Sequence, residues 1–347
     1  MQSPYHLSVP EVPTLIKIMD AFPKDSYYLI NNFAREGESF TTEEVEIRTR
    51  KGHRPLAPYV SELLPGKVVA RVGFTAQTWN PALLKPMRII TRHDVKVRTV
   101  TESLSNPKTP QQRYNELVTQ DLGDLTDTVQ RRKMQQLSEI MFTGLTTQIG
   151  EGVSQVLDWE FTNKEILSGA DFSDDNFDVI GYFTDKIQEV MQGSGRTMRQ
   201  VLTTHAVAKR IVTHPTVLKL IEARKEVLDI GDLNQSILPE GVIYHGTLRQ
   251  VGLRIFSYTN AYTDENGQEV NYIPAGTLAL LPDGQSFEFL YGANLVADEN
   301  GNFYLDDTKV LPQVWGKMEP PKRVLQLLSK PLCVPDNING WYVAKVM

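Results

Sequence analysis

One long amphipathic stretch, Thr109 to Gly144, constrains the possible folds of this chain more than any other part of the sequence. Thr109 and Gln112 have the spacing of a capping box, and Pro110 occupies the first helical position. Gly144 supplies a natural end to the helix. The sequence therefore predicts a spine helix over residues 110–143, and roughly 33 helical residues would extend about 50 Å.

Apolar residues in this helix recur at steps of three and four, so they form one stripe along it. A helix with one apolar face needs a sheet or a neighbouring subunit along that face. Gly123 lies inside the pattern and predicts a kink or a division of the helix. Arg131, Arg132 and Lys133 are predicted to pair across subunits or to face solvent. The residues predicted to pack along the stripe are Leu117, Leu125, Val129, Leu137 and Ile140.

The composition is that of a globular protein with one large domain or two to three small ones. The chain has 347 residues, of which 41% are hydrophobic and 22% charged. A net charge of −6 argues against a protein that reads nucleic-acid sequence. No apolar run reaches the roughly 18 residues of a membrane span, and no signal-peptide pattern is present. The single cysteine, Cys333, excludes an intrachain disulfide and is expected to be buried and unreactive.

Before the spine helix, the sequence predicts an arm followed by a ribbon. Four prolines interrupt residues 1–40, whose few apolar residues form a short patch that must lie on the body or on a neighbour. Alternation predicts strands at Val68–Val72 and Arg88–Arg98. A two-stranded ribbon has too little core to stand alone, so we predict a long hairpin that leans on a neighbouring subunit. Deleting Val68–Ile90 is expected to leave a folded protein that does not assemble.

After the spine helix, short strands alternate with short amphipathic helices. A helix is predicted behind the acidic run Asp171–Asp178, and two more over His205–Val212 and Val217–Glu226. Asn266-Gly267 and Asn300-Gly301 predict tight hairpin turns. The fold class is therefore predicted to be α+β.

The sequence contains no recognisable reaction centre. The acidic run lacks the ligand order of a calcium loop, and Gly193-Ser194-Gly195 fits neither a nucleophile nor a phosphate-binding motif. The basic cluster between Arg48 and Arg54 suits a phosphate contact or a solvated ribbon edge equally well. We predict no catalytic, cofactor or metal site. The histidines occur singly, without zinc-ligand spacing, at His6, His53, His93, His205, His214 and His245.

Several segments, in their order along the chain, match a pattern known from one protein family. They are Asn32–Glu36, Phe40–Val45, Trp79–Pro81, Lys85–Pro86, Val156–Trp159, Tyr272–Leu280 and Ser329–Asp336. Through these segments the sequence, from about residue 25 to residue 347, resembles the tailed-phage major capsid proteins called E.

The resemblance implies a Hong Kong 97-type fold. Its expected divisions are an N-terminal arm (1–40), an E-loop with flanking strands (41–100), a peripheral domain with the spine helix (101–170), an axial domain (171–315) and return strands to the peripheral domain (316–347).

The resemblance also implies a function. The chain is expected to be the head protein of a tailed phage, forming the pentamers and hexamers of an icosahedral shell around double-stranded DNA without sequence-specific binding. It implies a portal, a scaffold or protease and a decoration protein as partners, and no membrane. The protein would be located in the virion, and in the host cytoplasm during assembly. The residues expected to contact a neighbouring subunit through the E-loop are Val69, Val72, Phe74, Trp79, Pro81, Lys85 and Pro86.

Two alternatives stay open on the sequence. One is an encapsulin-like cellular compartment shell of the same fold. The other is a soluble α+β enzyme that uses Asp178, His205 or His214 as acid–base residues. Size in solution separates the enzyme from a shell protein, because an enzyme would form a small oligomer and a shell protein would form rings or megadalton particles.

Overall fold

The computed structural model describes residues 10–22, 27–49, 57, 59–61, 65, 75–96, 108–168, 171–224, 238–297, 301–317 and 322–347. Within these ranges the helices are α1 (Val12–Asp20), α2 (Tyr28–Phe33), α3 (Arg92–Lys96), α4 (Pro110–Thr143), α5 (Val179–Ser194), α6 (His205–Thr213) and α7 (Pro215–Arg224).

The strands before α6 are β1 (Ala34–Ser39), β2 (Val45–Thr49), β3 (Thr75–Trp79), β4 (Met87–Thr91), β5 (Leu145–Gly150), β6 (Val153–Asp158), β7 (Lys164–Ile166) and β8 (Met198–Thr203). The later strands are β9 (Val242–Leu248), β10 (Leu253–Tyr258), β11 (Ala261–Thr263), β12 (Glu269–Asn271), β13 (Thr277–Pro282), β14 (Phe287–Tyr291), β15 (Asn294–Ala297), β16 (Phe303–Asp306), β17 (Leu311–Lys317), β18 (Lys322–Leu328), β19 (Pro331–Pro335) and β20 (Tyr342–Lys345).

The predicted long helix is confirmed as α4, which contains 34 residues. Its first turn is closed by both halves of the capping box. The backbone N–H of Gln112 donates to Thr109 Oγ1 at 3.3 Å, and the backbone N–H of Thr109 donates to Gln112 Oε1 at 2.8 Å. Gly144 ends the helix in the left-handed region, with φ of 75°.

Replacing the cap residue, Thr109→Ala, is expected to lower the free energy of unfolding by about 1 kcal/mol, because the Gln112 N–H loses its acceptor. Urea unfolding of the unassembled protein measures this loss. Thr119→Ala is the control, since that hydroxyl donates to the Asn115 carbonyl inside the same helix and caps nothing. Equal losses for the two variants would contradict a capping role for Thr109.

The predicted division of the helix at Gly123 is wrong, because α4 continues through this position. The Phe22 ring lies next to this position. A Cβ added to Gly123 would lie 3.4 Å from Cζ of Phe22, which is an ordinary van der Waals contact.

The two halves of α4 contribute to two different hydrophobic cores. The first half, with Leu122, packs with Leu15 of α1, Ile90 of β4 and Leu325 of β18. The second half, with Leu137, packs with α2, β14 and β19. Among the residues predicted along the stripe, Leu117 is half-buried and the buried ones are Leu125, Val129, Leu137 and Ile140.

The described part of the arm lies on the chain's own body, which is one of the two predicted positions. Pro13 stands at the start of α1 and does not interrupt it. Leu15 of this helix is fully buried against α4. Strand β1 then pairs in parallel with β14, from Ala34 opposite Phe287 to Ser39 opposite Tyr291.

The largest described sheet has six strands, both parallel and antiparallel, in the order β7-β20-β13-β8-β10-β9. One face packs against α5 and α6 through residues such as Val201 and Leu280. The opposite face sends Leu202 and Leu281 into the core that contains the second half of α4. Alternate residues of each strand therefore pack into different cores, because successive side chains of a strand point to opposite faces of the sheet.

Strand pairings join segments that the resemblance assigns to different divisions. Strands β14 and β17 belong to the predicted axial segment, yet β14 pairs with β1 and β19, and β17 pairs with β18. The last strand, β20, pairs with β13 in the six-stranded sheet and does not join the sheets beside α4. Residues 322–347 therefore place β18 and β19 against α4 and add β20 to the six-stranded sheet.

The predicted ribbon is partly described. Strands β2 and β3 pair antiparallel, with Val45 opposite Trp79 and Thr49 opposite Thr75. The strand predicted at Val68–Val72 lies outside the described residues. Strand β4 is confirmed, but its predicted continuation to Arg98 is wrong, because Arg92–Lys96 form α3.

The first turn of α3 explains that error. The Asp94 carboxylate accepts hydrogen bonds from the backbone N–H of Thr91 at 2.8 Å and from its hydroxyl at 2.7 Å. These bonds hold the pKa of Asp94 below its usual value. Local capping therefore decides this segment against its alternating pattern.

The expected outcome of deleting Val68–Ile90 also needs revision. Strand β4 pairs with β18, and Ile90 is buried in the core beside α4. Such a deletion would remove a sheet strand together with core side chains. It is expected to unfold the protein.

Several shorter predictions are confirmed. Helix α5 follows the acidic run, and its N-cap residue is Asp178, whose carboxylate accepts a hydrogen bond from the Gly181 N–H at 3.0 Å. The Asn266-Gly267 pair lies in the β11–β12 hairpin, where Gly267 has φ of 79°. Cys333 is fully buried on β19, and burial raises the pKa of its thiol. No helix among the described residues is long and apolar enough to span a membrane.

Candidate assembly surfaces

The base of the ribbon is fixed in the chain's own core. Val45 and Ile47 of β2 are buried there, and the Trp79 ring of β3 packs partly buried against the same cluster. The backbone N–H of Ala293 donates to the Thr42 carbonyl at 2.9 Å. The ribbon therefore leaves the body in a defined direction.

The chain that returns from the ribbon is held by its main chain. The Ala82 N–H donates to Gln148 Oε1 at 2.8 Å. The Leu84 N–H donates to the Ser329 carbonyl at 2.8 Å, and the Ser329 N–H donates back to Leu84 at 3.1 Å. These bonds hold the segment just before β4. Strand β4, which is the strand that returns from the ribbon, then pairs with β18.

The outer face of the three-stranded sheet β17-β18-β4 exposes large apolar side chains. Met87 and Ile89 of β4 are 59% and 47% exposed, and Trp315 of β17 is 38% exposed. Ile89 and Trp315 flank Val324 of β18, because both pair with it. We call Met87, Ile89 and Trp315 the return-strand patch. An apolar patch on a rigid sheet is typical of an interaction surface.

The structure separates the residues predicted to contact a neighbouring subunit. Val69, Val72 and Phe74 lie outside the described side chains. Trp79 is half-buried on the chain's own core, and Pro81 is buried, so Pro81 offers no exposed contact surface.

The remaining predicted contacts lie on the return segment, where Lys85 is exposed and Pro86 is half-buried. Sequence reasoning missed Met87 and Ile89. The available signal was an apolar residue at every second position of a strand that was expected to be covered on one face only.

Lys133 corrects a prediction, since it neither faces solvent nor is positioned to pair with another subunit. Its side chain is 1% exposed, and its ammonium pairs with the Glu36 carboxylate of β1. The ammonium also lies 4.5 Å from the ring centroid of Phe289 and 5.5 Å from that of Tyr291. The Tyr291 hydroxyl donates to Glu36 Oε2 at 2.6 Å. This cluster joins the arm, α4 and β14.

The pKa shifts in this cluster have different dominant causes. Burial alone would raise the pKa of Glu36, but the Lys133 ammonium and the hydrogen bonds from Lys133 and Tyr291 together lower it. Burial lowers the pKa of Lys133, and its attraction to Glu36 does not fully offset this. The pair therefore holds the chain together at the expense of desolvating a cation.

A sequence signal for Lys133 existed. It lies four residues after Val129 and four before Leu137, so it occupies a stripe position on α4. Its basic neighbours behave differently. Arg132 is partly exposed and pairs with Glu265 at 2.8 Å, and Arg131 pairs with Asp127 at 3.9 Å.

The residues of the alternative enzyme have structural partners. Asp178 caps α5, as described above. His214 is buried, with Nε2 2.9 Å from the Asp174 carbonyl and Nδ1 2.7 Å from the Thr216 hydroxyl. His205 packs on His245 with ring centroids 5.3 Å apart.

Among the described residues, no group of three or more His, Cys, Asp or Glu side chains is arranged to hold a metal ion.

Comparison with known proteins gives a consistent result. The family model described as phage major capsid protein E matches residues 11–346. The major capsid protein of Enterobacteria phage phi80 is 24% identical over 319 residues, covering 88% of this chain and 89% of the relative. The major capsid protein of Escherichia phage lambda is 24% identical over 262 residues, covering 72% of this chain and 73% of the relative.

Solved structures agree at the level of the fold. A prophage protein of E. coli CFT073 assigned as a capsid protein aligns with a TM-score of 0.69 at 18% identity, over 97% of this chain and 99% of that chain. A phage-related protein of Bordetella bronchiseptica RB50 aligns with a TM-score of 0.50 at 9% identity, over 96% of each chain.

Proposed function

This chain belongs to the phage major capsid protein E family, and from that premise we propose that it builds the pentamers and hexamers of an icosahedral phage head. The carrying observation is the family match, which spans residues 11–346. The predicted α+β fold of Hong Kong 97 type is confirmed by the structural similarity. The role is structural and non-catalytic.

The return-strand patch supports a self-assembling function. Its side chains stand on a sheet that main-chain hydrogen bonds hold in place, so the surface is formed before any partner arrives. Met87 alone is 59% exposed. Burying such side chains against neighbouring copies would supply a driving force of about 25 cal/mol per Å² of apolar surface.

The net charge of −6 fits a container for DNA. A shell that neutralised many phosphates would bind the genome strongly, and packaging and ejection would then be opposed. Enclosure without sequence-specific binding is therefore the proposed relation to double-stranded DNA.

The remaining partners follow from the family resemblance. They are a portal, a scaffold or protease and a decoration protein, with assembly in the host cytoplasm and the finished protein in the virion. The division into arm, E-loop, peripheral domain, axial domain and return strands is part of the same proposal. A cellular compartment shell is less favoured, because the curated relatives are phage major capsid proteins.

The protein purified alone, at high concentration, tests the proposed function. We expect negative-stain electron microscopy to show rings or closed shells, and sedimentation to show megadalton particles. A soluble enzyme would instead give a small oligomer. A stable monomer or small oligomer under all conditions of salt and concentration would contradict the proposal.

A further inference from the structure

The hairpin β15–β16 has an apolar outer face. Its register places Leu295 opposite Leu305 and Ala297 opposite Phe303, so these four side chains share one face. Leu295, Phe303 and Leu305 are 54%, 75% and 48% exposed, and Ala297 is exposed as well. We call these four residues the ribbon face; the name refers to the β15–β16 hairpin and not to the ribbon that contains β2 and β3.

The opposite face of the same hairpin is already used by the subunit. Val296 is 4% exposed and packs with Leu311 and Leu328. Asn294 is buried, and its Nδ2 donates to the Thr308 carbonyl at 3.2 Å. The hairpin is thereby held in one orientation, and the ribbon face points away from the body.

The pattern of the hairpin indicates that both faces are covered in the functional state. An antiparallel ribbon with one face in water normally alternates apolar and polar residues. Here the outward positions are all apolar, and none of the four carries a charge or a hydrogen-bonding side chain. An uncovered surface of this kind would promote non-specific association.

We propose that the ribbon face is a contact surface for a second copy of this chain, an inference that rests on the proposed shell function. In a shell built from this chain, the molecules that surround each subunit are further copies, so the cover available to an apolar face is another copy. The four residues carry no charge and no hydrogen-bonding side chain, so burying them against an apolar surface of a neighbouring copy leaves no polar side chain unpaired.

The size of the ribbon face indicates how it acts. Three large side chains, each about half to three-quarters exposed, amount to a few hundred Å², whereas stable interfaces bury about 800 Å² per partner. The ribbon face is therefore too small to hold two copies together alone. It contributes within a closed shell, where many contacts act at once, so the relevant measurement is shell formation.

Charge substitution on the two faces of the hairpin tests the proposal. Phe303→Lys and Leu295→Lys are expected to reduce the yield of shells about tenfold or more, because a lysine charge would be buried in an apolar contact without a partner. Tyr304→Lys is the matched control, since Tyr304 is 47% exposed on the same strand but belongs to the other face. Thermal unfolding of the unassembled variants checks that they fold, and Phe303→Leu is expected to keep wild-type yield.

Thiol labelling identifies the partner. Cys333 is buried, so a Phe303→Cys variant carries an accessible thiol at the ribbon face. We expect a maleimide probe to react about tenfold or more slowly in shells of this chain alone than in the unassembled protein. Equal rates would overturn the proposal, because the face would then be uncovered in a shell of this chain.

The outcomes separate the two proposals. Wild-type protein that forms no shells would refute the proposed function, and this inference with it. Wild-type shells together with normal yields from Phe303→Lys and Leu295→Lys would refute the ribbon-face contact alone. Equal losses from Tyr304→Lys and Phe303→Lys would also refute it, because the effect would not depend on the face.

Discussion

Glu36→Ala is expected to lower the free energy of unfolding of the unassembled protein by roughly 3–5 kcal/mol, because it leaves the Lys133 charge buried without its carboxylate. The Lys133 side chain is 1% exposed, and its ammonium pairs with the Glu36 carboxylate, so Glu36→Ala removes the anionic partner of a buried cation. Urea unfolding measures the loss. Glu38→Ala is the control, since Glu38 is exposed on the same strand, and its change is expected to stay within about 0.5 kcal/mol.

Replacing the other partner of the pair, Lys133, is expected to lower the free energy of unfolding much less. Lys133→Met fills a similar volume beneath Phe289 and Tyr291, and the Glu36 side chain left behind is 45% exposed and can be hydrated. The double variant Glu36→Ala, Lys133→Met is expected to recover most of the loss, because no buried charge remains. Equal losses for the two single variants would contradict this account of the pair.

The pair also gives a pH dependence. The folded-state pKa of Glu36 is lowered from 4.5, so its contribution to stability is present above the unfolded value and is lost as the pH falls through the folded value. We therefore expect the wild type to lose more stability than the double variant between about pH 5 and pH 3. Urea midpoints across this range measure the difference, and parallel curves would contradict it.

Removing residues 50–74 is expected to abolish closed shells while leaving the subunit folded. The design uses the register of β2 and β3, in which Thr49 lies directly opposite Thr75. An Asn-Gly link between these two residues would close a tight hairpin. The buried Val45 and the partly buried Trp79 stay in place, so the core keeps its anchors.

Electron microscopy and thermal unfolding of this deletion together test the E-loop prediction. The expected product unfolds cooperatively near the wild-type temperature and gives no shells. The Val68–Ile90 deletion serves as the contrast, because loss of β4 and Ile90 is expected to remove the folded state itself. Closed shells from the 50–74 deletion would show that the extended segment is dispensable for assembly.

Local features of the sequence were enough to predict the elements that depend on local hydrogen bonds. The ends of α4 follow from Thr109, Gln112 and Gly144, because a capping box and a left-handed glycine act within a few residues. The Asn266-Gly267 turn belongs to the same group. Residues 92–96 were missed because the Asp94 cap competed with an alternating pattern, and a local competition of this kind is closely balanced.

The candidate surfaces depended on contacts between distant parts of the chain. Met87 and Ile89 are exposed because β18, more than 200 residues later, pairs with β4 and turns Ile90 inward. The ribbon face is outward because Val296 packs with Leu311 and Leu328. A one-residue change in register would reverse either result.

By itself, the sequence determined the long capped helix, the α+β class and the absence of a recognisable reaction motif, because these depend on residue types and short spacings. Only the tertiary structure decided that Lys133 is buried against Glu36, that β20 joins the six-stranded sheet, and which apolar side chains stay exposed. The physical reason is that burial is settled by strand pairings between segments far apart in the chain, which periodicity within one segment does not specify.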